Sequence, residues 1–208
     1  MAFMAALPPV GGLQEKRELH KSARRDAILA AARKVFARKG YEGATMADIA
    51  REAGVAAGTV YLYYASKTDL FAALNAELYR IINQAMAEAD APPDVEGGTR
   101  ARIRGIFQAC SRHRDLLRLV FLNPDPRTEV AKRLKSADEQ RLRPLSDLLA
   151  TGIQAGVIRS VDPAVLSRLV NGVVIVGLHQ CFVQSDGSAV DTYEDIVSEM
   201  IIGGLKPR

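Results

Sequence analysis

The side chains best suited to chemistry in this chain gather between Thr45 and Lys67, and what they offer is hydrogen bonding to anionic or heteroaromatic partners, not bond cleavage. Thr59, Tyr61 and Tyr63 place hydroxyls on one short segment, and Lys67 follows them. Upstream, Lys21, Arg24 and Arg25 add cations able to reach phosphate or a minor groove, or simply to form a solvated basic face. Catalytic and metal chemistry find no comparable constellation. The three histidines, His20, His113 and His179, lie too far apart for a metal-ligand spacing, and there is no GxSxG elbow and no phosphate-cradling glycine loop. Cys110 and Cys181, each in an apolar helical context, read as buried reduced thiols. No cofactor, metal or enzyme activity is implied.

The elements that must position these groups are marked by local signals. Thr45 followed by Asp48 is a capping box that starts a helix at Met46. Ile49 and Ala53 give it an apolar edge, Gly54 stops it, and Val55 plugs the corner. A second short helix runs over about 57–63, and Ser66 with Asp69 caps a third. Two short helices joined by so tight a turn make a helix-turn-helix, the unit that lays its second helix in the DNA major groove.

Ala47-Asp48-Ile49-Ala50, Ala53-Gly54-Val55, Gly58-Thr59-Val60-Tyr61, Tyr63-Tyr64 and Ser66-Lys67 with Leu70 resemble the DNA-binding domain of the tetracycline-repressor (TetR) family of bacterial transcriptional regulators. Upstream, 28–32 and Phe36 to Tyr41 resemble that family's first helix and the turn after it; the resemblance covers roughly 22–82. Two positions depart from the family. Ala56 stands where a serine or threonine usually caps the recognition helix, a loss of about 1 kcal/mol, and Tyr64 replaces a phenylalanine. The resemblance implies that Thr59, Tyr61, Tyr63 and Lys67 mostly touch phosphates, with Thr45 in the same DNA-contacting set, while Ala57, Gly58 and Leu62 face or flank the bases. Ala57 and the Thr59 methyl are suited to thymine methyls, and Gly58 permits close approach.

Charge distribution agrees with an anionic partner. Residues 1–70 hold 11 Lys/Arg against 7 Asp/Glu, a net of +4, whereas 71–208 hold 17 of each. With 48% hydrophobic and 25% charged residues, the chain has the composition of a soluble globular protein. The start, MAFMAALPPVGGL, lacks a basic flank and is interrupted by Pro8-Pro9, so 1–21 are expected to be a disordered leader and not a signal peptide, in a cytoplasmic protein.

Helical periodicity dominates, and the fold class expected is all-α, about nine helices in two domains: a three-helix DNA-binding domain over 22–66, with its helix-turn-helix at 45–64, and a larger helical domain over 67–208 for ligand binding and dimerisation. Further helices are expected at 22–39, 66–89, 99–110, 115–122, from Pro126 to Gly156 with a kink or break before Pro144, at 163–184 and at 192–205, with 90–98 a loop. Residues 163–184 are apolar on nearly every face, so one side must pack on its own subunit and another on a second chain. Arg168, Asn171, His179 and Gln180 within it argue against a membrane span. The expected homodimer interface comprises Leu166, Val170, Val173 and Val174 with Val197, Met200 and Ile201.

The resemblance also implies a pocket in the larger domain where a small molecule controls DNA affinity. Inward spacing nominates Ile103, Phe107, Cys110, Leu117 and Phe121, then Leu145, Leu148 and Leu149, then Asn171, Ile175 and His179, each of which fits a plain core equally well. The run Arg100, Arg102, Arg104, Arg112, Arg114 and Arg118 has two readings, a solvated face or the anchor of an anionic effector such as a fatty acyl-coenzyme A. The function expected is a ligand-released repressor of palindromic operator DNA. The rival is an effector-independent protein that binds DNA by shape and phosphate contacts.

Overall fold

The computed structural model describes residues 11–122 and 138–207, and every regular element among them is helical. The chain divides into two compact units, Met1–Leu70 and Phe71–Arg208. The first contains α1 (Gly11–Gly43), α2 (Met46–Glu52), α3 (Ala57–Tyr61) and the opening turn of α4 (Lys67–Glu88). The second holds the rest of α4, then α5 (Val95–Arg112), α6 (Arg114–Leu122), α7 (Asp138–Gln154), α8 (Pro163–His179) continued by a π-helical turn (Gln180–Gln184), and α9 (Val190–Leu205).

In the first unit α1 packs on α2 and α2 on α3. Ile28, Val35, Phe36, Ile49, Val60 and Leu70 are sealed from solvent, each such side chain contributing about 1.5–3 kcal/mol by burial. The turn between α2 and α3 closes as the sequence requires. Gly54 adopts φ 66°, and the Val55 amide reaches back to the Ala50 carbonyl at 3.0 Å, an arrangement that only a residue without Cβ adopts freely.

In the second unit α8 packs against α7 and α9, and α9 against α5. A Cβ on Gly177 would lie 2.4 Å from Val197 Cγ2 and 3.3 Å from Phe107, so a glycine is what lets α8 come so close to α9. By length and composition alone Pro163–Gln184 is apolar enough to cross a membrane, yet Leu166, Val174, Leu178, Cys181 and Phe182 are buried within the unit.

Three expectations change. The first helix starts at Gly11, not Ser22, so half of the expected leader is helical; residues 15–27 are exposed and rich in strong helix formers, so propensity and not burial extends it. The helix expected at Thr99 starts at Val95, because the Asp94 carboxylate accepts the Gly97 amide at 2.7 Å and caps it. Over the described Asp138–Gln154 the helix through Pro144 is unbroken, the proline removing one ladder donor while Leu142 and Leu149 anchor it. The Asn123–Pro126 turn lies outside the described residues.

Candidate nucleic-acid interface and cavity

The head is built from its caps. Thr45 Oγ1 accepts the Asp48 amide at 3.1 Å and donates to Asp48 Oδ2 at 2.8 Å, while the Thr45 amide donates to Oδ2 at 3.2 Å. Lys39 Nζ lies 2.8 Å from the same carboxylate. The Lys39 ammonium, then Thr45, hold the Asp48 carboxyl down at about 2. Arg38 donates to Glu52 at 2.7 Å and lowers its carboxyl in the same direction, so α1 and α2 are clasped by ion pairs at both ends of α2. The Thr45 hydroxyl is therefore committed to the cap.

Lys67, expected on phosphate, has a structural role within the head. Its ammonium donates to the carbonyls of Tyr41 at 2.7 Å and Glu42 at 3.2 Å and sits 4.4 Å over the Tyr41 ring. Gly40 (φ 69°) breaks the helical path of α1, and Lys67 bonds the carbonyls of the turn that follows, joining the close of α1 to α4. Tyr64 is buried, with the Arg25 guanidinium 5.4 Å over its ring. Lys21, Arg24 and Arg25 are exposed along α1. On α3 and the two residues after it, Ala57 and Gly58 are exposed, Thr59 and Tyr63 half-buried, and Tyr61 and Leu62 stand 53% and 83% exposed. Buried Val60 turns this outer crest away from the core. α3 is thus a short helix without a side-chain cap whose outer crest is open to solvent, with the Arg25 cation against the neighbouring Tyr64.

The second unit contains a largely apolar cavity of about 350 Å³, partly open to solvent. Ile103, Leu145, Leu148, Leu149 and Asn171 line it, as spacing expects. The other nominated residues lie elsewhere. Phe107, Cys110 and Leu117 are fully buried core, Phe107 packing 6.1 Å from Phe182; Phe121 meets His179 edge-on at 5.6 Å; Ile175 is half-buried away from the lining. Sequence reading missed the α4 wall, Tyr79, Ile82, Asn83 and Met86, although their spacing is that of one helical face. Asn83 Nδ2 donates to the Arg141 carbonyl at 3.1 Å, and the Arg141 guanidinium lies 4.7 Å over Tyr79 and bonds buried Asn75.

The arginine run does not converge on the cavity. Arg100 pairs with Glu96 at 3.5 Å and Asp195 at 3.9 Å. Arg104 faces Glu194 at 3.8 Å, a carboxyl raised by its burial and by neighbouring Asp191. Arg114 holds the carbonyls of Phe182, Ser185 and Asp186, and Arg118 is exposed. Side chains at successive helical positions point around the axis, which disperses a linear run. Arg102 alone of the six lines the cavity, its Nη1 donating to the Gly98 carbonyl at 2.9 Å. Among the described residues no group of His, Cys, Asp and Glu gathers to hold a metal.

The expected dimer residues are also redistributed. Leu166, Val174, Val197 and Ile201 are buried within their own unit, Val170 and Ile201 line the cavity, and Val173 is half-buried. The apolar side chains left outside are Val165, Leu169 and Val176 on α8 with Ile196 and Met200 on α9.

Residues 28–74 match the model of the bacterial regulatory proteins of the tetR family. The HTH-type transcriptional activator FasR of Mycolicibacterium smegmatis is 30% identical over 158 residues, 74% of this chain and 72% of that one. The chain belongs to the TetR family. This regulator is also 24% identical to the fatty acid metabolism regulator protein of Bacillus subtilis over 187 residues, 86% of its own length and 93% of the relative's. Its fold matches the fatty acid degradation regulator FadR of Bacillus halodurans with a TM-score of 0.72 at 24% identity, covering 87% of this chain and 99% of that one. It also matches FadR of Bacillus subtilis in complex with stearoyl-CoA, with a TM-score of 0.69 at 21% identity, covering 86% and 98%. The regulator is thus a transcriptional regulator with a helix-turn-helix head.

Proposed function

We propose that this regulator binds palindromic operator DNA as a homodimer, acts as a repressor, and is released by a small amphipathic effector, of which a fatty acyl-coenzyme A is the foremost candidate. The observation that carries the reading is the capped helix-turn-helix in the unit holding the chain's whole net charge of +4. The apolar cavity supports the effector. Its lining is mostly hydrocarbon, interrupted by a few polar groups such as Asn83, Thr99 and Asn171 and by two charges, Asp94 and Arg102, of which Arg102 is at hand for an anionic head group, the pattern of a small-molecule site. The stearoyl-CoA bound by the Bacillus subtilis relative points to the same class.

Release follows from linkage. Two heads must enter successive major grooves about 34 Å apart. α4 starts at Lys67 among the head residues and lines the cavity with Tyr79, Ile82, Asn83 and Met86, so a ligand seated there biases the helix that carries the head. It dissociates the complex only by its differential affinity for the two states, about 1–3 kcal/mol of coupling. Activation is the second reading, favoured by FasR's description as an activator.

The test is a gel-shift titration on DNA flanking the regulator's own gene, with palmitoyl-coenzyme A, palmitate and a neutral aromatic compound in parallel. Release by the anionic amphiphiles, weakened in Arg102→Ala, is expected. Binding of DNA with no response to any ligand would favour the effector-independent rival, and in vitro transcription separates repression from activation.

A further inference from the structure

The crest of α3 poses two problems that folding does not solve. Leu62 is 83% exposed beside the half-exposed Tyr61, and nothing in the unit covers it. Gly58 has no structural need to be glycine: its φ is not in the left-handed region, and a Cβ there would meet nothing within 4 Å. A glycine inside a five-residue helix weakens it relative to alanine. Both oddities lie on the same outer face as exposed Ala57, opposite buried Val60. That face carries a single hydrogen-bonding side chain, Tyr61, and none of the Arg, Asn or Gln groups that read base edges by paired hydrogen bonds.

Resting on the operator-binding reading above, we infer that the head reads sequence chiefly through thymine C5-methyl groups, with Leu62 and Ala57 packing on them and Gly58 bringing the helix backbone down onto the base edges. The thymine methyl is the one apolar feature of the major groove. A leucine tip and an alanine methyl discriminate it from the bare C5 of cytosine by burial alone. Each half-site then contains thymines fixed at the positions under Leu62 and Ala57. The cations of α1 supply affinity and leave sequence choice to the crest.

The experiment selects duplexes from a randomised pool with the full-length protein and remakes the consensus with single thymines replaced by deoxyuracil, which removes only the methyl. Affinity should fall about 3- to 5-fold per methyl contact. Cytosine at the same position should bind worse than thymine, and 5-methylcytosine should recover most of the loss. Leu62→Ala, whose fold is checked by circular dichroism, should abolish uracil sensitivity at its own position and leave the other unchanged. Gly58→Ala should raise the melting temperature while weakening operator binding. Equal affinity for thymine and uracil duplexes would overturn the inference, as would a Gly58→Ala protein that binds as well as wild type. Failure to enrich any sequence would overturn the operator reading itself, and this inference with it.

Discussion

Asp48 is gripped by Lys39 at 2.8 Å, by both polar groups of Thr45 and by Arg51 at 3.5 Å, and its carboxyl titrates at about 2 in place of 3.8. A folded-state value below the unfolded one means that the stabilisation is complete above about pH 4 and is lost as pH falls toward 2. The gap in melting temperature between wild type and Asp48→Asn should therefore be widest at pH 5 and close between pH 4 and 2; a constant gap would show that the charge is not what the cap uses. The cysteines make the opposite case. Burial pushes the Cys110 thiol up to about 12 and raises Cys181 as well, and both are free. Because the thiolate is the reactive form, a thiol reagent at pH 8 should label neither in the native protein and both after denaturation. Rapid native labelling would show that one of them is accessible and reactive in the folded protein. Lys67 shows the limit of residue-by-residue reading: its type and place suggest a phosphate contact, and nothing local reveals that it also bonds the carbonyls of Tyr41 and Glu42.

At the scale of elements, α3 lacks the cap its neighbours have. Ala56 holds the extended N-cap conformation, φ −65° and ψ 145°, with no side-chain bond to the helix. Ala56→Ser needs no backbone change and should stabilise the recognition helix by about 1 kcal/mol, read as slower hydrogen exchange at the amides of α3 in the full-length protein. Unchanged exchange would mean that tertiary packing, not capping, holds this helix. Elements of this kind were legible because caps are local: the Thr45–Asp48 box, the Ser66–Asp69 cap and the Gly54 turn all form where the sequence places them. The extension of α1 back to Gly11 was not, since exposed residues 15–27 carry no apolar period to read. The α4 wall of the cavity had a visible stripe, yet a stripe names a face and not what it faces. For α8 even the face was hidden, because a helix apolar all round has no marked direction.

That hidden direction bears on the proposed homodimer. The structure turns Leu166 and Val174 inward and leaves Leu169 and Val176 at 63% and 61% exposed, with Met200 on α9 also at 61%. Val165, Leu169 and Val176 repeat at helical spacing, and Gly172 between them, like Gly203 and Gly204 on α9, has nothing within 4 Å of a built Cβ, so another helix has room to approach closely. Exposed apolar side chains on two helices that pack on each other are unfavourable in water, and a second copy offers the same side chains related by a two-fold axis. The position of a charge then separates assembly from folding. Leu169→Glu or Val176→Glu should give a folded protein that sediments as a monomer and, with only one head per particle, loses most of its operator affinity. Val174→Glu, at 5% exposed, should instead bury an unpaired charge and lower the melting temperature sharply. Sedimentation of wild type as a monomer at micromolar concentration, or a dimer that survives Leu169→Glu unchanged, would place the subunit contact on some other surface and leave this apolar face without an occupant.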